Sequence, residues 1–321
     1  MILLTGGAGF IGSAFLRKLN DLGYNDIIVV DHLAESPKWK NLVSKKFIKY
    51  IPKEDLFELL DKKNELHHLD SIIHLGACSR TTERNVDYVI RNNYEFSIKL
   101  AEFAHEHDIR FIYASSAATY GRGEEGYTDT TFYNLKPLNP YGFSKYLFDL
   151  WVINKNYDKK FVGLKFFNVF GPNEYHKDDM SSMVYKAYYQ IKNTKKVQLF
   201  RSNSSDFTDG GQMRDFVYVK DVCDIMARML ENKHIYGIFN IGTGVARSWN
   251  DLINSVFKAL NMEPNIEYID MPENIRDQYQ NFTQADLTKL KNKIKDFHFA
   301  SLEDSIQDYV CNYLEKDWQY L

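Results

Sequence analysis

The stretch NPYGFSKYLFDL, residues 139 to 150, places Tyr141 four residues before Lys145 in an apolar, aromatic helical pattern. Positions i and i+4 share one helix face, so a phenol and an ammonium there point together into one cleft. A free phenol has a pKa of about 10, too high for a base at neutral pH. An ammonium roughly 6 Å away, at an effective dielectric near 20, contributes about 3 kcal/mol, or roughly two pKa units. The spacing therefore predicts a phenol lowered toward service as a proton acceptor. Upstream, IYASSAATYG puts Ser115 and Ser116 at the end of a strand pattern, with Ser116 able to hydrogen-bond the same reacting oxygen. An isolated Y-x-x-x-K is weak, because helices hold many Tyr and Lys residues. The elements around it carry the weight.

Those elements alternate. MILLT reads as a strand, followed by a Gly-rich turn and the helix FIGSAFLRKLNDLG ending at Gly23. DIIVVD, SIIHLGA, RFIYASS and FVGLKFFNVFG read as further strands. This βαβ alternation predicts an α/β fold, a Rossmann-like doubly wound parallel sheet. Residues 172–217 read as a polar, Ser/Asp/Gly-rich stretch containing RSNSSDFTDGGQMRD. DFVYVKDVCDIMARML then reads as a short strand entering a helix, and GIFNIGTG as another buried strand. From SWNDLINSVFKAL onward come helices, a strand-like NIEYID and a charged C-terminal helix. The expected organisation is a dinucleotide-binding domain from 1–171 and 218–246. It interleaves with a smaller mixed α/β substrate domain from 172–217 and 247–321.

TGGAGFIGS sets Gly6, Gly9 and Gly12 at G-x-x-G-x-x-G spacing between strand and helix. Glycines there permit a tight turn and close approach of a pyrophosphate, which the helix N-terminus then favours electrostatically. Asp31 ends the second strand, where a carboxylate hydrogen-bonds adenosine ribose hydroxyls and favours NAD. His32, Lys38 and Lys53 supply cations nearby, so the residues alone leave NAD and NADP both open.

The net charge of −3 gives no reason to expect nucleic acid. No apolar run is long enough to span a bilayer, and no signal-peptide pattern opens the chain. Cys78, Cys223 and Cys311 lack metal-ligand spacing and suit reduced thiols in the cytoplasm. The HEH at 105–107 places its histidines off one helix face, and His67 and His68 fall in a charged loop, so no metal site is expected.

TGGAGFIG, SSAATYG and YGFSK together resemble the extended short-chain dehydrogenase/reductase family of nucleotide-sugar enzymes, over nearly the whole chain and as far as NIGTG. HLGACSRTTE, FFNVFGPNEYHKDDM, RDQYQNFTQADL and KYLFD narrow this to a resemblance to the ADP-L-glycero-D-manno-heptose 6-epimerases. The resemblance implies transient oxidation and re-reduction at C6 of an ADP-heptose, and a homo-oligomer, by analogy a pentamer. It implies NADP as cofactor, with Lys38 and Lys53 in the family's cationic positions. It makes Tyr141 one acid/base and Lys177 a second, with Ser116 and Lys145 assisting and both lysines also touching the cofactor. Phe10 and Ile11 would line the phosphate turn, with Leu75, Gly76, Ala77, Cys78, Ser79, Asn92 and Val169 as further cofactor contacts. Ser79, Ser116, Asn168, Arg214 and Tyr279 would touch substrate, and Phe200, Arg201, Ser202 and Asn203 would run beside the nucleotide. Asp179 replaces a family serine and Lys186 a family histidine, both on the substrate side. SSDFTDGGQM is longer than the family's usual connection.

A dehydratase of this family needs an Asp-Glu pair where this chain has Ala117-Ala118. A UDP-hexose 4-epimerase shares the Ser/Tyr/Lys set but has no need of Lys177. A non-catalytic dinucleotide-binding sensor would usually lose Tyr141 or Lys145.

Overall fold

The computed structural model describes residues 1–61, 68–276 and 279–321. The first strands are β1 (Ile2–Thr5), β2 (Ile27–Asp31), β3 (Lys49–Pro52), β4 (Ser71–His74), β5 (Arg110–Ser116) and β6 (Val162–Phe166). With β7 (Asn168–Phe170), β8 (Val197–Phe200), β9 (Met213–Tyr218) and β10 (Gly237–Ile241), they lead to β11 (Ala246–Ser248) and β12 (Ile266–Ile269). One sheet of seven strands has the order β10-β6-β5-β4-β1-β2-β3. Every pairing in it is parallel. All residues of β1, β2, β4 and β6 are buried, as expected of strands covered on both faces.

The early helices are α1 (Phe10–Asp21), α2 (Leu56–Asp61), α3 (Val86–Val89), α4 (Phe96–Glu106) and α5 (Pro140–Asn154). They are followed by α6 (Met183–Thr194), α7 (Val219–Glu231), α8 (Trp249–Ala259), α9 (Glu273–Arg276), α10 (Thr288–Lys293) and α11 (Leu302–Tyr309). Strand alternation divides the core. Leu4, Val29 and Ile73 pack with Phe15 of α1 and Met226 of α7. Leu3, Ile28, Val30 and Ile72 pack with Leu100 of α4 and Phe148 of α5. The doubly wound parallel sheet is the expected fold class.

The smaller sheets differ from the expected pattern in informative ways. FVGLKFFNVFG does not continue as one strand. β6 stays in the large sheet, while β7 pairs with β9 in a three-stranded sheet completed by antiparallel β11. The chain changes sheets at Phe167, and an unbroken apolar run carries no sign of that change. The 172–217 stretch holds two elements beyond its polar segment, α6 and β8. β8 pairs in parallel with β12, the expected NIEYID strand. No described helix is long and apolar enough to cross a membrane.

Candidate active site

The order of the large sheet reverses between β1 and β4, and the crevice outside their carboxyl ends is where doubly wound sheets bind ligands. A cleft of about 1420 Å³ opens there. Its volume exceeds that of a typical single small-molecule site, leaving room for two extended ligands.

The glycine turn forms one wall. Gly6 has φ +69°, and a Cβ on it would sit 2.7 Å from the Gly76 nitrogen. A Cβ on Gly12 would meet the Gly6 carbonyl oxygen at 2.0 Å. These positions demand glycine, and Gly9, Phe10 and Ile11 line the cleft beside them. The turn leads into α1, whose first N–H groups face the crevice, so these residues fit a dinucleotide pyrophosphate. Leu75, Gly76, Ala77, Cys78, Ser79, Asn92 and Val169 line the same cleft.

Asp31 departs from the simple ribose-binding expectation. It is buried, and its carboxylate already accepts from Ala8 N at 2.8 Å, His32 N at 2.7 Å and Lys38 Nζ at 2.6 Å. His32 pairs with Glu54 at 2.8 Å, and Lys53 donates to Asn92 at 2.7 Å. The charge that should repel a 2′-phosphate is thus countered by Lys38.

α5 begins at Asn139, whose side chain accepts from Gly142 N at 2.8 Å, with Pro140 in the first turn. This start aims Tyr141 and Lys145 at the cleft. The Tyr141 phenol shares the cleft with the Ser116 hydroxyl at the end of β5, whose influence lowers its pKa. Its pKa nevertheless lies above the ordinary value, contrary to the expected lowering. Burial of the phenol raises it most, Cys78 and Asp149 add to the rise, and only Ser116 opposes. Lys145 is buried too, which lowers its own pKa to about 8. Its ammonium is engaged with the Ala114 carbonyl at 2.8 Å.

Behind this pair lies a buried polar network that the sequence reading did not include. Asp149 accepts from Lys165 Nζ at 2.6 Å, Ser115 Oγ at 2.7 Å and the Tyr113 hydroxyl at 3.1 Å. Lys165 also donates to Thr119 Oγ1 at 2.7 Å. Asn93, in the wide π turn Ile90–Glu95 between α3 and α4, is a second omission. Its side chain bonds Cys78 N, Cys78 O and Ser144 Oγ, while the expected Asn92 holds Lys53. The i+4 spacing of Asp149 from Lys145 is a local signal for the first network; nothing local marks Lys165 as its partner.

Lys177 reaches the cleft from the loop after β7, its Nζ 5.3 Å from the centre of the Phe10 ring. Burial lowers its pKa, Glu174 raises it and Lys186 lowers it. Asp179 and Lys186 line the same end of the cleft, and Lys186 Nζ donates to the Asp179 carbonyl at 2.7 Å. Asn168 and Phe200 also line it. Arg201, Ser202 and Asn203 do not; they line a neighbouring cavity of about 710 Å³ that shares Tyr279 with the first. Arg201 there pairs with Asp270 at 3.1 Å.

Arg214 is buried, with its guanidinium 5.1 Å from the Tyr279 ring and 5.7 Å from that of Trp249. Trp249 donates to the Tyr279 hydroxyl at 2.8 Å and was not foreseen from sequence. Arg214 has no carboxylate partner among the described residues, so it is a held cation facing a cavity, suited to a diphosphate. The next residue, Asp215, turns the other way. It accepts from Thr243 N, Thr243 Oγ1, Gly244 N and Ala285 N at 2.7 to 3.0 Å.

The paired histidines of the HEH stretch lie away from the cleft. His105 stacks on Tyr157 and His107 on Phe103; His67 lies outside the described residues. No cluster that could hold a metal occurs among the described residues.

Residues 2–242 match the model of the NAD dependent epimerase/dehydratase family. The chain is 50% identical over 316 residues, 98% of each chain, to ADP-L-glycero-D-manno-heptose-6-epimerase of Nitratidesulfovibrio vulgaris. Its fold is similar to the crystal structure of the Helicobacter pylori enzyme of that name, with TM-score 0.82 and 30% identity, covering 97% of this chain and 95% of that one. It is also similar to UDP-glucuronic acid 4-epimerase from Bacillus cereus in complex with UDP-glucuronic acid and NAD, with TM-score 0.76 and 25% identity over 97% and 99% of the two chains. The glycine cradle, the Ser116–Tyr141–Lys145 group and these full-length likenesses agree, and the chain belongs to the NAD dependent epimerase/dehydratase family, alongside the ADP-L-glycero-D-manno-heptose-6-epimerases.

Proposed function

We propose that the protein converts ADP-D-glycero-β-D-manno-heptose to its L-glycero epimer at C6, with tightly bound NADP. The product is a precursor of lipopolysaccharide inner-core heptose. The observation that carries this reading is that Tyr141 on α5 and Lys177 on the loop after β7 line one cleft from two separate elements.

Inversion by redox chemistry requires the reacting carbon to be approached from both faces, while its oxygen loses and regains a proton. A bound nicotinamide supplies the hydride acceptor and donor for this. The protein must then serve the C6 oxygen in two orientations, which one base does not easily do. Tyr141, with Ser116 in the same cleft, handles the proton in one orientation. Lys177 handles it in the other, beside the Phe10 ring. Lys145, held by Ala114, fixes the phenol's surroundings and puts a cation near any phenolate that forms. Arg214, between Tyr279 and Trp249, holds the diphosphate. The pairing of Asp31 with Lys38 supports NADP over NAD, because it leaves the ribose end of the cleft less negative. The setting is cytoplasmic and the working form a homo-oligomer.

Purified protein incubated with the ADP-heptose should change the ratio of C6 epimers, read by NMR. An unchanged ratio with intact bound cofactor sinks the activity. Tyr141→Phe and Lys177→Met should each slow turnover by about 10²–10⁴-fold. Near-full activity in Lys177→Met rules out the two-group mechanism and restores the 4-epimerase-like reading.

A further inference from the structure

The loop that carries Lys177 runs from Gly171 to Ser182 and is closed by one carboxylate. Glu174 is buried, 1% exposed. Its Oε1 accepts from Gly171 N at 3.3 Å and Ser182 Oγ at 2.7 Å, and its Oε2 accepts from Ser182 N. The two ends of the loop therefore meet on the same side chain. Lys177 N donates to the Glu174 carbonyl at 2.9 Å, so the lysine is one short turn from the clamp.

We propose that Glu174 is a positioning residue for Lys177: by tying both ends of the loop to one carboxylate, it holds the ammonium over Phe10. The proposal rests on the reading of Lys177 as the second acid/base. Four groups face Lys177: Glu174 and His176 from its own loop, Lys186 from α6 and the Phe10 ring from α1. Glu174 is the one that favours the charged form; burial and Lys186 oppose it. Glu174 itself is faced by Ser182, the N-cap of α6, by Tyr175 of its own loop, by Tyr185 of α6 and by the buried Tyr309 hydroxyl of α11. A carboxylate serving only as a helix cap has no reason to be buried this way, because Ser182 already caps α6 through Tyr185 N at 3.3 Å.

The test is epimerase turnover of Glu174→Gln and Glu174→Asp, alone and combined with Lys177→Met. Gln keeps the shape but loses the charge and one acceptor oxygen. Its kcat should fall roughly tenfold to a hundredfold, as expected when a reacting group is misplaced. The KM for the ADP-heptose and the bound cofactor content should stay parental. Removing a negative charge lowers the Lys177 pKa, so protonated lysine is lost at lower pH. The alkaline limb of the kcat–pH profile should therefore move to lower pH in Glu174→Gln but not in Glu174→Asp. In the Lys177→Met background, Glu174→Gln should cost nothing further. Parental turnover and limb in Glu174→Gln, or an equal loss in the Lys177→Met background, overturns the proposal. If Glu174→Gln does not fold, Ser182→Ala serves, since it removes one donor and leaves the charge; parental kcat there overturns the proposal. Parental activity in Lys177→Met alone refutes the underlying reading instead, whatever Glu174 does.

Discussion

Arg214 shows what a single residue does here. A guanidinium buried between two aromatic rings keeps its charge without a carboxylate, so an anion that enters the cleft completes it. A charge-assisted hydrogen bond contributes about 1.5–3 kcal/mol. Arg214→Gln should therefore raise KM by about tenfold to a hundredfold with kcat nearly unchanged, the pattern of lost uniform binding. A matching loss in ADP affinity by calorimetry would locate the effect; a fall in kcat alone would contradict it. Tyr141 and Lys145 were legible in the sequence because they sit in a short motif whose spacing fixes their direction, and Arg214 only through the resemblance. Trp249, Asn93 and Glu174 were not, because their importance comes from partners far along the chain. The sign of the Tyr141 shift was misread for a related reason. Spacing gives the lysine's proximity but not the burial of both groups, and burial wins.

At the scale of elements, the site depends on how α5 sits against β5 and β6. The Lys165–Asp149 pair joins these elements, with side chains 0% and 1% exposed. Breaking a buried pair leaves one uncompensated charge and costs about 3–5 kcal/mol, whereas replacing both partners by apolar residues is often neutral. Lys165→Met should accordingly lower the urea midpoint strongly, and Lys165→Met with Asp149→Leu should recover much of the loss. If the double variant is no more stable than the single, the pair is not the stabilising contact. The parallel strands were plain from their continuous apolar runs. β3 is a short edge strand, and only Ile51 of its residues is buried, so it left little hydrophobic signature. α6 and β8 were hidden by reading 172–217 through its polar segment, and the β6–β7 division by an apolar run that serves two sheets.

At the scale of the whole molecule, one cleft runs from the glycine cradle past Tyr141 and Lys177 to Arg214, and a second cavity adjoins it at Tyr279. Any ligand that binds only the folded chain raises its stability by mass action. With cofactor stripped, NADP should raise the thermal midpoint more than NAD at equal concentration; a tenfold tighter nucleotide adds about 1.4 kcal/mol. Lys38→Ala combined with Lys53→Ala should close that gap, and a larger shift with NAD in the parent would reverse the cofactor assignment. The pattern of alternating strands announced the cofactor half of this layout. The remainder was legible as a set of short elements but not in how they pair, because β8 meets β12 and β7 meets β9 across long stretches of chain.

β9 links recognition of the ligand to the integrity of the scaffold. Arg214 faces the cleft, and Asp215, its neighbour, gathers donors from Thr243, Gly244 and Ala285 on the other side. Successive strand residues point to opposite faces, so a shift of one position would bury the guanidinium among those donors and turn the carboxylate toward an anion. Resizing this site for a longer or shorter ligand along β9 must therefore proceed in steps of two residues, about 7 Å each. On the proposed reading, the spacing between diphosphate and reacting sugar would in that sense be quantised by the strand.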